Sequence, residues 1–236
     1  MVHFRTIPSV LPALALGLAL AACGGGPPSA SEASNESSAE AVGSASSGEV
    51  IAEYRESLGA DLPAYTFTLR GVKPSADSGP ARVQAIEIQR GNEARPYQAI
   101  GGIDAATPLE RPGAFELLDM NFDGYRDMRL IESAPAGPNV PYRNWLFNAA
   151  GGEFEPSPEL DGIVSAVFDS ASRTIRSAWR EGAARYGEDT YRYVEGKPVL
   201  VRRDERTYSG PGVYTLTVSE RLDGEMKFVE AKTVRE

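Results

Sequence analysis

Cysteine and histidine are almost missing from these 236 residues. There is one of each, Cys23 and His3, and both fall at the amino terminus. A lone cysteine excludes a disulfide within the chain. Beyond residue 23 no thiol or imidazole is left, so Ser-His-Asp and Cys-His catalysis and ordinary zinc sites are excluded there. Positive charge is scarce as well: 24 lysines and arginines face 33 aspartates and glutamates, for a formal net charge of −9. Such a surface repels nucleic acid and anionic lipid and favours a basic partner. Phosphate-cradling glycine loops are lacking, since Gly24-Gly25-Gly26 sits in a polar stretch and Gly101-Gly102 has no lysine after it. After the amino terminus no apolar run is long enough to cross a bilayer.

What is present begins with Arg5 and an apolar run from Val10 to Ala22. The run is short for a membrane span and ends in small residues, as an export signal does. Its close, Leu20-Ala21-Ala22-Cys23, resembles the lipobox of bacterial lipoproteins. That resemblance implies cleavage after residue 22, lipidation of Cys23 and, with Gly24 following it, residence in the outer membrane. Removal of residues 1–22 takes away His3 and Arg5, so the mature chain is more acidic still. Residues 23–48 are rich in Gly, Pro, Ser, Ala and Glu and read as a disordered tether. A coil of ~25 residues reaches on the order of 30 Å.

Residues 49–236 read as one β-rich domain. Tyr65, Phe67 and Leu69 alternate with Thr66, Thr68 and Arg70, Ile86 and Ile88 with Glu87 and Gln89, and Tyr214, Leu216 and Val218 with Thr215, Thr217 and Ser219. Further strands are expected at 114–119, 127–132, 143–148, 163–168, 174–179, 190–194, 198–203 and 227–233. Turn residues such as Gly151-Gly152, Glu195-Gly196 and Asp223-Gly224 separate them. Val50, Ile51, Tyr54 and Leu58 have helical spacing, which predicts a short helix over Glu49–Gly59. The fold class expected is all-β: an antiparallel meander closed as a sandwich, barrel or propeller-like array. No fixed-period repeat favours a regular propeller.

Asp119-Met120-Asn121-Phe122-Asp123-Gly124-Tyr125-Arg126-Asp127 carries side-chain oxygens at its first, third, fifth and ninth positions and a glycine at its sixth. Calcium takes six to eight oxygens from a flexible loop, so Asp119, Asn121, Asp123, the Tyr125 carbonyl and Asp127 are its candidate ligands. Leu130 stands where an EF-hand has its bidentate glutamate, and the flanks read as strands. The arrangement is closer to calcium loops between strands, with a structural role for the ion. The alternative is that Asp123-Gly124 forms a hairpin turn without metal.

Several stretches together resemble a known family. They are Leu118 to Asp127, Gly137-Pro138-Asn139, Trp145-Leu146-Phe147, Gly182-Ala183-Ala184-Arg185-Tyr186 leading into Tyr191-Arg192-Tyr193, and Gly196 to Arg203. The set is similar to immunity lipoproteins that protect bacteria from lysozyme-like effectors of a killing type IV secretion system. That family is related in fold to periplasmic inhibitors of invertebrate-type lysozyme. The resemblance implies a calcium-containing β-rich binder that plugs the cleft of a peptidoglycan glycohydrolase, and not an enzyme. Inhibitors of this broad type carry a Ser-Gly-x-x-Tyr-like loop. It points to Gly182, Ala183, Ala184, Arg185 and Tyr186 as partner-binding residues, with Arg185 facing an acidic catalytic group. Glu181 replaces the serine, and Ser209-Gly210-Pro211-Gly212-Val213-Tyr214 is a second candidate with one residue too many. Each loop reads also as a plain hairpin turn. Trp145 and Trp179 are expected in the core. Two other functions stay open: a structural or assembly lipoprotein binding an envelope component, and a glycan hydrolase working through paired carboxylates.

Overall fold

A computed structural model describes residues 48–74, 79–135 and 137–236. The signal segment, Cys23 and all of the expected tether except Gly48 lie outside the described residues. Three antiparallel sheets follow one another along the chain. The first contains β1 (Glu49–Ser57), β2 (Ala64–Val72), β3 (Ala81–Arg90) and β4 (Gln98–Ile100) in spatial order, with β5 (Ala105–Thr107) also on β3. The second is β6 (Phe115–Leu118), β7 (Asp127–Ile131), β8 (Tyr142–Asn148) and β9 (Glu153–Pro156). A helical turn, α1 (Pro158–Asp161), leads into the third. That sheet is a six-stranded meander of β10 (Ala166–Asp169), β11 (Thr174–Glu181), β12 (Arg185–Val194), β13 (Lys197–Gly210), β14 (Val213–Leu222) and β15 (Glu225–Arg235). The all-β meander is present, in a sandwich-like arrangement, and no sheet closes into a barrel among the described residues.

The alternating runs land as expected. Tyr65, Phe67, Leu69, Ile86 and Ile88 are all buried and face Met128, Leu130, Phe147 and Phe154 of the second sheet. Phe67 meets Phe154 edge-on with centroids 5.7 Å apart. Burying each such side chain contributes about 1.5–3 kcal/mol. Trp145 is 5% exposed in the same core.

Every residue of β7 is buried, because both of its faces are covered. Met128 and Leu130 point to the first sheet, and Arg129 points the other way. The Arg129 guanidinium donates to Glu116 and, at 2.8 Å, to the carbonyl of Ala166 at the start of the third sheet. It also lies 4.1 Å over the Tyr142 ring. A nearly buried charge of this kind is tolerable only when so fully paired. Met120, Phe122, Leu160, Ile163, Ala166 and Ile175 form a second core beside it, joining the loop before β7 to the first strands of the third sheet.

The helix expected over Glu49–Gly59 is corrected: residues 49–57 are the edge strand β1, antiparallel to β2. A register shift between Val50 and Ala52 inserts one extra residue. The bulge brings Ile51, Ala52 and Tyr54 toward the core and breaks the period of two, which imitates helical spacing.

Candidate functional site

The candidate partner-binding residues sit at the tips of two neighbouring hairpins. The turn between β11 and β12 is Gly182-Ala183-Ala184, all exposed, with Gly182 at φ +70° in the left-handed region that glycine tolerates. The turn between β13 and β14 is Pro211-Gly212. The Tyr208 N–H donates to the Ala184 carbonyl at 2.8 Å, which fastens the first tip to the second. Gly182–Tyr186 and Ser209–Tyr214, read from the sequence as alternatives, are therefore one surface.

Tyrosines line it. Tyr186 and Tyr208 stand 5.5 Å apart edge to face, and Tyr208 and Tyr214 are 5.0 Å apart. A shallow recess of about 590 Å³ opens beside them, lined by Ala183, Ala184, Tyr186, Tyr208, Gly210 and Pro211. Aromatic rings with an apolar body and a polar tip suit a surface that becomes buried on binding.

The register extends this surface into rows across the third sheet. Arg180, Tyr186, Arg206, Leu216 and Lys232 are cross-strand partners in sequence from β11 to β15. The next row is Ala178, Glu188, Asp204, Val218 and Glu230. Both rows border a second recess of about 580 Å³. Among the described residues, Arg180, Arg206 and Lys232 have no carboxylate partner. Arg180 lies 5.0 Å over the Tyr186 ring and donates to the Gly182 carbonyl at 2.7 Å. Arg206 lies 5.6 Å over Tyr214. This basic row next to the tips was missed in the sequence, because its members are far apart in the chain and only the pairing register aligns them.

Arg185 is placed differently from the expectation. Its Nε and Nη2 donate to both oxygens of Glu205 at 2.8 Å, and Nη1 reaches Glu181. The hydrogen bond from Arg185 holds the Glu205 carboxyl below its ordinary pKa. Arg185 thus links β12 to β13 and is not a free cation. Behind it the Trp179 ring lies over Gly187, where a Cβ would stand 2.1 Å from the ring. Arg185 and Arg203 lie over the same ring at 5.5 and 5.3 Å. Asn139 steadies the outer edge, since its amide donates to the Arg180 carbonyl at 3.0 Å and accepts from the Arg180 N–H at 2.9 Å.

The candidate calcium loop closes on its own hydrogen bonds. Asp119 accepts from the N–H groups of Asp123 and Gly124 at 3.0 and 2.9 Å. Asn121 Oδ1 accepts from Asp123 N–H, and Asp123 Oδ1 from Tyr125 N–H. Asp127 is fully buried, and its oxygens accept from the N–H groups of Met120, Asn121 and Phe147. Burial pushes its carboxyl up to about 7, while those N–H groups pull it down. The Tyr125 side chain turns away, donating its hydroxyl to Asp61 at 3.1 Å. An all-oxygen set has the chemistry for a hard cation. Yet Asp127 is committed to the core, and among the described residues no three His, Cys, Asp or Glu side chains converge as a metal site.

No protein-family model matches the chain, and no curated protein does. Among solved structures, a type IV secretion system related protein of Xanthomonas is similar at a TM-score of 0.56 and 18% identity, over 78% of this chain and 98% of that one. The chain therefore shares its three-sheet fold with that secretion-related protein over nearly the whole of the latter's length.

Proposed function

We propose that the protein is a periplasmic immunity lipoprotein, anchored in the outer membrane through Cys23, that occludes the cleft of a lysozyme-like peptidoglycan glycohydrolase. The observation that carries this reading is the fold shared with a type IV secretion system related protein. Paired hairpin tips are compatible with it: small exposed residues at the apex, three tyrosines behind them and a basic row alongside. Glycoside hydrolases of this class work through two carboxylates flanking the bond they cleave. A guanidinium brought to such a pair is attracted to it, and Arg180 takes the role that Arg185 cannot. The protein itself acts by steric exclusion and catalyses nothing.

Calcium belongs to the same reading. Asp119, Asn121 and Asp123, with the Tyr125 carbonyl, would hold it, while Asp127 anchors the loop from inside. Heat unfolding in millimolar calcium should then occur several degrees above unfolding in chelator; identical curves remove calcium from the account.

The inhibitory reading is tested by lysis of peptidoglycan with a lysozyme-like secreted effector. Ala183→Trp adds bulk at an exposed position whose φ is not left-handed, so the fold is retained. It should weaken inhibition by about 100-fold, near 3 kcal/mol. Arg180→Ala should weaken it by about tenfold. If both variants inhibit like the parent protein, the tips are not the contact.

A further inference from the structure

Among the described residues, β15 presents a long unpaired edge. It has 11 residues and, among the described residues, pairs only with β14, so it is the edge of the third sheet. Phe228 on it is 67% exposed and Val229 46%. Proteins usually blunt such edges, because their free N–H and C=O groups invite another strand. Charged residues are the common device, and β15 has Glu225, Lys227, Glu230 and Lys232, all exposed. Their order, however, alternates in sign, so the strand is complementary to itself when reversed.

The register decides whether that complementarity is usable. In an antiparallel pair related by a twofold axis, residues opposite each other must share a face of the sheet. Lys227 and Glu230 are three apart and in a regular strand would lie on opposite faces. Here the pairing shifts, with Ser219 opposite Phe228 and Val218 opposite Glu230, so that Val229 is an extra, bulged residue. The bulge restores the match: Glu225, Lys227, Glu230 and Lys232 pair in turn with Leu222, Glu220, Val218 and Leu216, and share one face. A twofold axis between Phe228 and Val229 sets Lys227 against the other copy's Glu230, and Glu225 against its Lys232, twice each. It also buries Phe228 against Val229. A slip of two residues in register either way opposes Lys227 to Lys232 or Glu225 to Glu230, which is repulsive. Among the described residues Glu225, Glu230 and Lys232 have no ion-pair partner. Lys227 has only the strongly exposed Asp223, a contact that is easily exchanged.

We propose that the protein forms a homodimer by antiparallel pairing of β15 with β15, in the single register centred between Phe228 and Val229. The occupant of the edge is a second copy, because the alternating charges of β15 are matched one for one by the same strand reversed. The axis is perpendicular to the sheet, so both copies present their tyrosine-lined tips on the same face of one continuous sheet. This inference does not depend on what those tips bind.

Sedimentation of the full-length protein across micromolar concentrations tests it. The parent chain should be dimeric at ~100 μM. Lys227→Glu should weaken association by about tenfold or more, since it creates two repulsive pairs. Lys227→Glu combined with Glu230→Lys should restore it, because each copy then supplies both reversed charges. Cysteine cross-linking in a Cys23→Ser background fixes the register. Phe228→Cys lies beside the axis, within disulfide reach of its own copy, and should cross-link. Thr233→Cys, about 30 Å from its copy in this pairing, should not. A monomeric parent protein, no recovery in the double variant, or cross-linking at 233 instead of 228 would each overturn the proposal.

Discussion

Arg185 shows how far a residue's meaning depends on what stands across the sheet. Its position in Gly182–Tyr186 makes it a natural cation for an acidic target, but Glu205 lies on the diagonal of the next strand and takes two of its N–H groups. Nothing in the local sequence announces that pairing. Glu205→Gln should cost about 1–2 kcal/mol in denaturant unfolding. The pH dependence has a definite sign. The folded pKa of Glu205 lies below its unfolded value. Its contribution is therefore present above the ordinary glutamate pKa and lost as pH falls through the acid range, and Glu205→Gln should flatten that acid loss. Gly187 has the opposite lesson, since its role is to be empty. Gly187→Ala drives a methyl into the Trp179 ring and should cost about 1–3 kcal/mol. Trp179→Ala in the same chain should abolish that extra cost in a double-mutant cycle.

Elements were legible where alternation ran unbroken. Tyr65-Phe67-Leu69 and Tyr214-Leu216-Val218 give β2 and β14 directly: β2 buries all three, and β14 buries Tyr214 and Val218. Bulges defeated the same reasoning. The extra residue in β1 converts a strand pattern into helical spacing, and β13 is longer than its apolar run because charged residues and Tyr208 fill its second half. Short β4, β5 and β9 have too few residues to display any period. The Asp119–Asp127 loop was recognisable as a feature, but the inward role of Asp127 was not, because it rests on the N–H of Phe147 in β8. Asp127→Ala leaves three N–H groups, two of them buried, without their acceptor and should cost about 3 kcal/mol. Amide exchange at Met120, Asn121 and Phe147 should speed up together. If Phe147 stays protected while the other two open, Asp127 does not couple the loop to the sheet.

At the scale of the whole molecule, an acidic protein presents a locally basic row beside its exposed tips. In the proposed complex net charge would guide distant encounter, while Arg180 and Arg206 would act only at contact. The sequence disclosed the net charge and both tip loops. It did not disclose that the loops adjoin, since the Ala184–Tyr208 hydrogen bond joins segments 24 residues apart. Steering by the acidic surface predicts that association with a basic hydrolase slows as salt rises. Equal rates at low and high salt would remove steering and leave the contact intact.

Occlusion of a hydrolase cleft is the central claim, and inhibition kinetics in the presence of a chito-oligosaccharide that fills the cleft test it most directly. The account predicts competition: the apparent inhibition constant of the protein rises in proportion to oligosaccharide concentration, because both need the same space. An inhibition constant that stays the same at every oligosaccharide concentration, or no inhibition at all, would contradict it.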